Sequence, residues 1–248
     1  MPAAAVLYTR KDHIAYITLN RPEADNVINR ELARELQDIC CQVNQDDEAY
    51  VVIITGAGDG AFCAGSEFGG GEYTPGVATA VAGIDCPVIA AISGDALGQG
   101  LELALACDLR LAAEKAHFGF PQVARGLIPQ DGGTQRLSRI VGRGKALELI
   151  LTTETISAAE AFDIGLVSQV IADEELAREA ETLAGAMAAR APVALRFAKE
   201  AVNKGLDLTL EQGLRLEADL YFLLHTTADR TEGITAFLKK RPPQFKGR

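Results

Sequence analysis

The sequence predicts an α/β protein whose strands and helices alternate before a long helical region. Residues 14–19 alternate apolar and polar side chains, which is typical of a half-buried strand. Residues 51–55 form a continuous apolar run, which indicates a strand buried on both faces. From about residue 157 the pattern becomes almost entirely helical. Strands and helices in succession favour a layered α/β or ββα arrangement.

The first predicted helix follows the break NRP at residues 20–22. Asn29 stands where an N-cap belongs, because its side-chain oxygen can accept a hydrogen bond from the first helical turn. Apolar side chains then recur at helical spacing, so one face of this helix is expected to be buried. They are Leu32, Leu36, Ile39, Cys40 and Val43.

A loop unusually rich in glycine follows the second strand, at residues 56–76. Glycine at this density suggests backbone brought close to a ligand. The alternative is an irregular surface loop. Residues 68–79 are rich in glycine and lack a clear helical pattern, so we expect a shortened or mobile cover and a rather open pocket that accepts bulky, cyclic or branched groups.

The most informative segment is PVIAAISGDALGQGLELALACD, residues 87–108. An apolar strand breaks at a glycine-rich turn, and a helix opens with Glu102 in its first turns. Helix N-termini carry unpaired N–H groups and a partial positive charge, so this is a place to stabilise an oxyanion, with Glu102 beside it to move a proton. The alternative is a turn whose glycines allow close packing and whose glutamate is solvated.

The remaining elements follow in order. A strand at residues 109–113 precedes a long loop and a helix starting at Thr134. Ser157 and Glu160 have capping-box spacing, and Gly165 stands where that helix should end. Further helices are predicted at 173–190, 193–204, 210–225 and 231–240. The third of these is amphipathic through Leu210, Leu214, Glu217, Leu220 and Leu224, and this face covers either a partner subunit or its own domain.

Composition limits the function classes. The 248 residues have a formal net charge of −10 and no dense basic run, which disfavours nucleic acid as a partner. The sequence contains neither a long uncharged apolar run nor a basic leader with an apolar core, so we expect no membrane association and a cytoplasmic location. The five cysteines lack CxxC spacing and are expected to be reduced core thiols, and the three histidines lack metal-ligand spacing.

Five segments, in order along nearly the whole chain, resemble the crotonase family of enoyl-CoA hydratases and isomerases. They are NRPEADNVI at 20–28, AFCAGSEF at 61–68, residues 86–108, FGFPQVARGLIPQDGGTQRL at 118–137, and TAFLKKR at 235–241. The resemblance implies a spiral of ββα units with an acyl-CoA-binding core at 1–190. It also implies a helical region at 191–248 that forms trimers, often paired as hexamers. No cofactor is expected, because coenzyme A enters as part of the substrate thioester.

The resemblance also assigns site residues. The two backbone N–H groups of the oxyanion hole fall on Ser66 and Gln99, and the first catalytic glutamate of the hydratases on Glu102. The second catalytic glutamate, from the pattern FxxPE, is replaced here by Gln122. The coenzyme A contacts fall on Ala24, on Ala64, Gly65 and Ser66, and on Phe237 and Lys240; Glu23 stands where a basic residue is common.

An amide at position 122 can orient a water but cannot exchange a proton at neutral pH. Glu102 would then both take a proton from water and return it, which makes hydration of a 2-enoyl-CoA the leading hypothesis. The alternatives are a hydrolase, isomerase or decarboxylase acting on a CoA ester, or a weakened CoA-binding scaffold subunit. Asp131 is a candidate second acid, although capping of the helix near Gly133 is the favoured role; Asp108 is expected to bond loop backbone.

Overall fold

The computed structural model describes residues 4–67 and 76–248, and nine strands lie in these ranges. One sheet has the order β1-β2-β3-β4-β6-β9, antiparallel only between β1 and β2, and a smaller sheet has the order β5-β7-β8. The strands are β1 (Val6–Lys11), β2 (Ile14–Leu19), β3 (Val51–Gly56), β4 (Val88–Ile92), β5 (Ala96–Leu97), β6 (Leu109–Ala113), β7 (His117–Gly119), β8 (Ile156–Ser157) and β9 (Gln169–Ile171).

Ten α-helices lie in the same ranges. They are α1 (Arg30–Gln45), α2 (Val77–Ala82), α3 (Gln99–Ala106), α4 (Gly133–Val141), α5 (Arg143–Thr152), α6 (Ala158–Asp163), α7 (Leu176–Ala188), α8 (Pro192–Gly205), α9 (Leu210–Leu224) and α10 (Ala228–Leu238). The succession β4-β5-α3 and then β6-β7-α4 puts one short strand in the small sheet after each long strand. The expected ββα organisation is therefore confirmed.

Strand β3 is buried on both faces, as its continuous apolar run predicts. Val52 and Ile54 face the main core beneath α1 and α3. Val51 and Ile53 face a second core that is closed by the small residues of α7, Ala180 among them. Because a core covers each face of the sheet at β3, residues on both faces are apolar and no polar alternation is seen.

Helix α1 begins as the sequence predicts. The Asn29 side chain accepts a hydrogen bond from the Leu32 N–H at 2.8 Å. The predicted apolar face is buried except for Ile39, which is half-buried. The capping box of Ser157 and Glu160 is also present at the start of α6.

Three local expectations need correction. Helix α5 follows α4 immediately and was not distinguished in the sequence. Residues 77–79 are helical because they begin α2, while the rest of the expected short cover, at 68–75, lies outside the described residues. Cys41 is exposed, because it follows Cys40 on α1 and so points away from the face that α1 buries.

The predicted C-terminal helices are present, although the first begins with a short 3₁₀ turn before α7 and the last starts three residues early. Helices α8 and α9 pack against each other, and much of their apolar surface remains exposed in the single chain. Leu210 is 80% exposed on α9, whereas Leu220 is buried. Most of the amphipathic face predicted for α9 is therefore not covered by the chain's own core. None of the described helices is long and apolar enough to cross a membrane.

Candidate active site

The site is built around the turn that starts α3. Gly98 occupies this turn with φ +54° and ψ −120°, a conformation that favours glycine. Its N–H donates to the Gly119 carbonyl at 2.9 Å, which ties the turn to β7, and its carbonyl accepts from the Glu102 N–H at 3.1 Å. Gln99 is the first helical residue, and among the described residues its N–H has no acceptor. This N–H is one of the unpaired donors that a helix N-terminus presents.

The segment that carries Ser66 lies against this turn. The Leu97 N–H donates to the Cys63 carbonyl at 3.0 Å, and a Cβ added to Gly100 would collide with that same carbonyl. The close approach of the two backbones explains why position 100 is glycine. A sequence reading alone could see the glycine but not its partner.

The direction of the Ser66 N–H follows from a parallel bridge to Ile28. The Ile28 N–H donates to the Gly65 carbonyl at 2.8 Å, and the Glu67 N–H donates to the Ile28 carbonyl at 2.9 Å. The flanking residues therefore make this ladder, and Ser66 directs its own N–H to the opposite side. No acceptor for it lies among the described residues.

Glu102 is fully buried and held by one oxygen. Its Oε1 accepts hydrogen bonds from the Asp131 N–H at 2.7 Å and the Gly133 N–H at 2.8 Å. Its Oε2 is buried and has no hydrogen-bond partner in the described part of the chain. The second oxygen is thus the one available to exchange a proton.

Burial raises the pKa of the Glu102 carboxyl because removal from water disfavours its charged form. The N–H groups of Gly133 and Asp131 work in the opposite direction, and the negative charge of Asp131 adds to the rise. A carboxylate with a raised pKa is a stronger base, which suits removal of a proton from water. A solvated glutamate, the alternative reading of the sequence, is excluded for this position.

Gln122 lies beside the same turn. A Cβ added to Gly98 would be 3.3 Å from Gln122 Nε2 and 3.9 Å from its Oε1. The Gln122 side chain is buried, and its Oε1 has no hydrogen-bond partner among residues 4–67 and 76–248. Gly98 thus adjoins both residues: its carbonyl binds the Glu102 N–H, and Gln122 places an uncharged amide beside it where the family resemblance implies a second carboxylate.

Gln99 contributes more than its N–H. Its side chain is 3% exposed, and both amide atoms lack a partner among the described residues. Gln99 and Glu102 are three residues apart and so lie on one face of α3. Sequence reasoning considered only the backbone of this residue.

The sequence suggested that Asp131 caps α4, and this prediction is wrong. The N-cap of α4 is Gly132 and has no side-chain cap. The Asp131 carboxylate instead accepts from the Ala78 N–H at 2.7 Å, the Thr79 N–H at 3.2 Å and the Thr79 hydroxyl at 3.0 Å. It caps α2, whose start is more than 50 residues away in sequence, and no local pattern reveals such a partner. With three donors on its oxygens, this carboxylate is not placed as a free second acid.

Two of the segments assigned to coenzyme A are in contact. The Ala64 N–H donates to the Asp25 carbonyl at 3.0 Å, so the backbone next to Ala24 adjoins the segment of Ala64, Gly65 and Ser66. Glu67 is exposed and pairs with Arg21 at 2.7 Å.

The third coenzyme A segment lies at the end of α10 and just beyond it. Phe237 is 82% exposed near the end of α10, and Lys240 is exposed just beyond it. The single chain therefore presents both residues to solvent.

Asn26 is a site-forming residue that the sequence reading missed. It is fully buried, and its amide donates to the carbonyls of Ala57 and Ala61 at 3.0 and 2.8 Å, while its oxygen accepts from the Arg21 N–H at 3.0 Å. It has φ +53°, a conformation that asparagine tolerates better than most residues. The available signal was the Asp25-Asn26 pair, which follows NRP after two intervening residues.

The other singled-out residues are structural. Asp108 accepts from the Val88 N–H at 2.7 Å and pairs with Lys199 at 2.8 Å, which confirms a backbone-bonding role. Burial raises the pKa of the Cys63 thiol to about 12, so this thiol stays protonated beside the site. No group of three or more His, Cys, Asp or Glu arranged for a metal ion occurs within 4–67 and 76–248.

The ββα units and the N–H groups of Ser66 and Gln99, for which the described part of the chain offers no acceptor, define together with buried Glu102 a crotonase-type α/β enzyme. The family model described as enoyl-CoA hydratase/isomerase matches residues 9–248, and the chain belongs to this family. It is 39% identical to a crotonyl-CoA hydratase of Syntrophomonas wolfei over 97% of both chains, and 37% identical to a short-chain-enoyl-CoA hydratase of Clostridium acetobutylicum over 98% of both.

A solved structure, an enoyl-CoA hydratase from Bacillus anthracis, superposes with a TM-score of 0.94 at 40% identity. The match covers 98% of this chain and all of that one. The similarity spans the core and the helical region alike.

Proposed function

We propose that this protein hydrates a 2-enoyl-CoA to a 3-hydroxyacyl-CoA. The observation that carries the proposal is the asymmetric Glu102 carboxylate, whose Oε1 is held by two N–H groups and whose buried Oε2 has no partner among the described residues. The hydratases to which the chain is similar over its full length support this reaction.

The reaction proceeds by addition of water across the double bond. Glu102 Oε2 takes a proton from the water while the water oxygen bonds to C3 of the enoyl group. The electron pair of the double bond then moves towards the thioester oxygen and forms an enolate. The N–H groups of Ser66 and Gln99 stabilise that enolate, since preformed donors need no reorganisation as the charge develops. Glu102 then returns the proton to C2, so that one carboxylate completes both transfers.

Gln122 holds the water in this scheme. Its buried Oε1 can accept one hydrogen bond from the water while Glu102 takes the other hydrogen. Because the amide cannot supply or take a proton, its contribution is orientation. We expect a slower hydratase than one with two carboxylates.

For coenzyme A, the proposal uses backbone at Ala24 and in the segment Ala64, Gly65 and Ser66, which adjoin in the fold. Phe237 and Lys240 would reach the nucleotide end of the substrate from the surface of α10. No further cofactor is needed for this reaction. We also propose a homotrimer, or a dimer of trimers, supported by the exposed apolar surface of α8 to α10. We further propose a cytoplasmic location with no membrane or nucleic acid partner; the net charge of −10 supports the absence of a nucleic acid partner.

The test is the loss of enoyl absorbance with crotonyl-CoA and with branched and cyclic enoyl-CoA substrates. Glu102→Gln keeps an acceptor for the two N–H groups and removes the base, so turnover should fall by about 10² to 10⁴. The matched control is Glu35→Gln, which alters another glutamate that accepts a backbone N–H, from Val6 at 2.9 Å. Unchanged turnover in Glu102→Gln would refute the proposal.

Gln122 also favours a second candidate reaction, hydrolysis of the thioester, because a water oriented by an amide suits that reaction as well. Release of free coenzyme A thiol, followed in the same samples, separates this reaction from hydration. Isomerase and decarboxylase activities are read by product analysis. Binding of acyl-CoA without any turnover would indicate the scaffold subunit.

A further inference from the structure

We propose that Asp131 is a positioning residue that anchors the catalytic carboxylate of Glu102 to the start of α2. Its own N–H donates to Glu102 Oε1 at 2.7 Å, and its carboxylate binds α2 through three donors. The inference rests on the proposed role of Glu102 as the proton-transfer group.

The Asp131 peptide is fixed from three sides. Besides its bonds to Glu102 and α2, its carbonyl accepts from Arg136 Nη1 of α4 at 2.7 Å. The residue is buried, with 5% of its surface exposed. Because these contacts fix the Asp131 N–H, they also fix the position of Glu102 Oε1, which it binds. The position of Oε1 in turn sets the direction of Glu102 Oε2.

The contact to α2 supplies the fixed point. Helices α2 and α3 pack directly against each other, so the start of α2 is a rigid support for a residue that binds the side chain of α3. Thr79 contributes both its N–H and its hydroxyl to Asp131 Oδ1. The contact with α2 thus fixes the position of Asp131, although this residue lies in a loop. A fixed position matters because small displacements of reacting groups reduce rates strongly.

The first test is Asp131→Asn, measured as kcat and KM with crotonyl-CoA. The amide keeps one acceptor oxygen but places an NH₂ group opposite a donor of α2, so the anchor to α2 is weakened while the size of the side chain is retained. We expect kcat to fall by about tenfold to a hundredfold, with KM changed much less. A loss confined to KM, or no loss, would overturn the proposal.

Asp108→Asn is the matched control for stability. Asp108 also accepts a core N–H, from Val88, and has an ion pair, but it does not contact Glu102. The two variants should lower Tm by similar amounts, and only Asp131→Asn should lower kcat at a temperature where both are folded. Equal losses of kcat in both variants would reduce Asp131 to a structural role.

Thr79→Val keeps Asp131 itself and removes only the hydroxyl donor. We expect a smaller loss of kcat than in Asp131→Asn, and recovery in Thr79→Ser, which restores the hydroxyl. Full kcat in Thr79→Val would overturn the part assigned to the hydroxyl, because the N–H groups of Ala78 and Thr79 still bind Asp131 in that variant. Failure of the proposed function itself gives a different result: Glu102→Gln would then retain turnover, whereas failure of this inference alone leaves Glu102→Gln inactive and Asp131→Asn active.

Discussion

The backbone N–H of Gly133, the first residue of α4, donates a 2.8 Å hydrogen bond to Oε1 of Glu102 on α3. A donor at the start of one helix thus orients a side chain from the first turns of another. Helix N-termini favour negative charge, so this contact supports the ionised form of Glu102 against the cost of burial. The balance still leaves the pKa of Glu102 raised, with desolvation as the main cause.

The first prediction concerns stability against pH in Glu102→Gln. Because the folded pKa of Glu102 is raised, the native protein binds a proton more readily than the unfolded chain, and it loses stability as pH rises from the ordinary carboxyl pKa through the raised one. The amide variant lacks this loss. In urea unfolding at several pH values between about 4 and 8, the unfolding free energy of the variant should rise relative to that of the native protein as pH increases. A difference that does not change with pH would contradict the raised pKa.

The second prediction concerns the pH dependence of kcat/KM for the native protein. Glu102 must be ionised to take a proton from water, so activity should fall on the acid side as pH drops through its raised pKa. The midpoint of this acid limb should lie above the ordinary glutamic acid pKa of about 4.3. A midpoint at or below that value, measured under conditions where the protein remains folded, would exclude Glu102 as the titrating base.

The third prediction concerns Gln122→Glu. A second carboxylate can share the proton transfers, and we expect hydration of crotonyl-CoA to rise by up to about 10². The same change buries a charge beside Glu102, so unfolding free energy should fall by about 1–3 kcal/mol. Enzyme assays and urea unfolding measure the two effects separately. Gln122→Ala, which removes the orienting amide, should lower turnover; a rise in that variant would show that the amide does not orient water.

The fourth prediction concerns Gly100→Ala. The added Cβ would collide with the Cys63 carbonyl and push apart the segments that carry Ser66 and Gln99. We expect a loss of about 1–3 kcal/mol in stability and a marked loss of kcat. Gly144→Ala on α5 is the control, because its Cβ meets nothing within 4 Å, and it should retain activity. Full activity in Gly100→Ala would contradict the paired N–H site.

The fifth prediction concerns assembly. Phe222 on α9 is 67% exposed in the single chain, and apolar surface of this kind is typical of subunit contacts. Phe222→Asp should shift the mass measured by light scattering from a trimer or hexamer to a monomer. The same substitution at exposed Phe162 of α6 is the comparison. A monomeric native protein would refute the proposed oligomer.

Local patterns in the sequence were enough for several elements. The alternation in β2, the continuous apolar run of β3 and the N-cap at Asn29 depend on neighbouring residues and on burial alone, and all three are present. The short strands β8 and β9 were not predicted, because two or three residues are too few to show an alternation of apolar and polar side chains. Likewise, the join between α4 and α5 is marked only by Gly142.

By itself, the sequence determined the class of fold and the chemical groups of the candidate site: a glycine-rich helix start, one glutamate and an amide in place of its partner. Only the tertiary structure decided how those groups are held. The Asp131 carboxylate caps α2 rather than α4, and its N–H orients Glu102, because contacts across 29 and 53 residues of sequence are made by packing and not by local spacing. The raised pKa of Glu102 has the same origin, since desolvation depends on everything that surrounds a side chain.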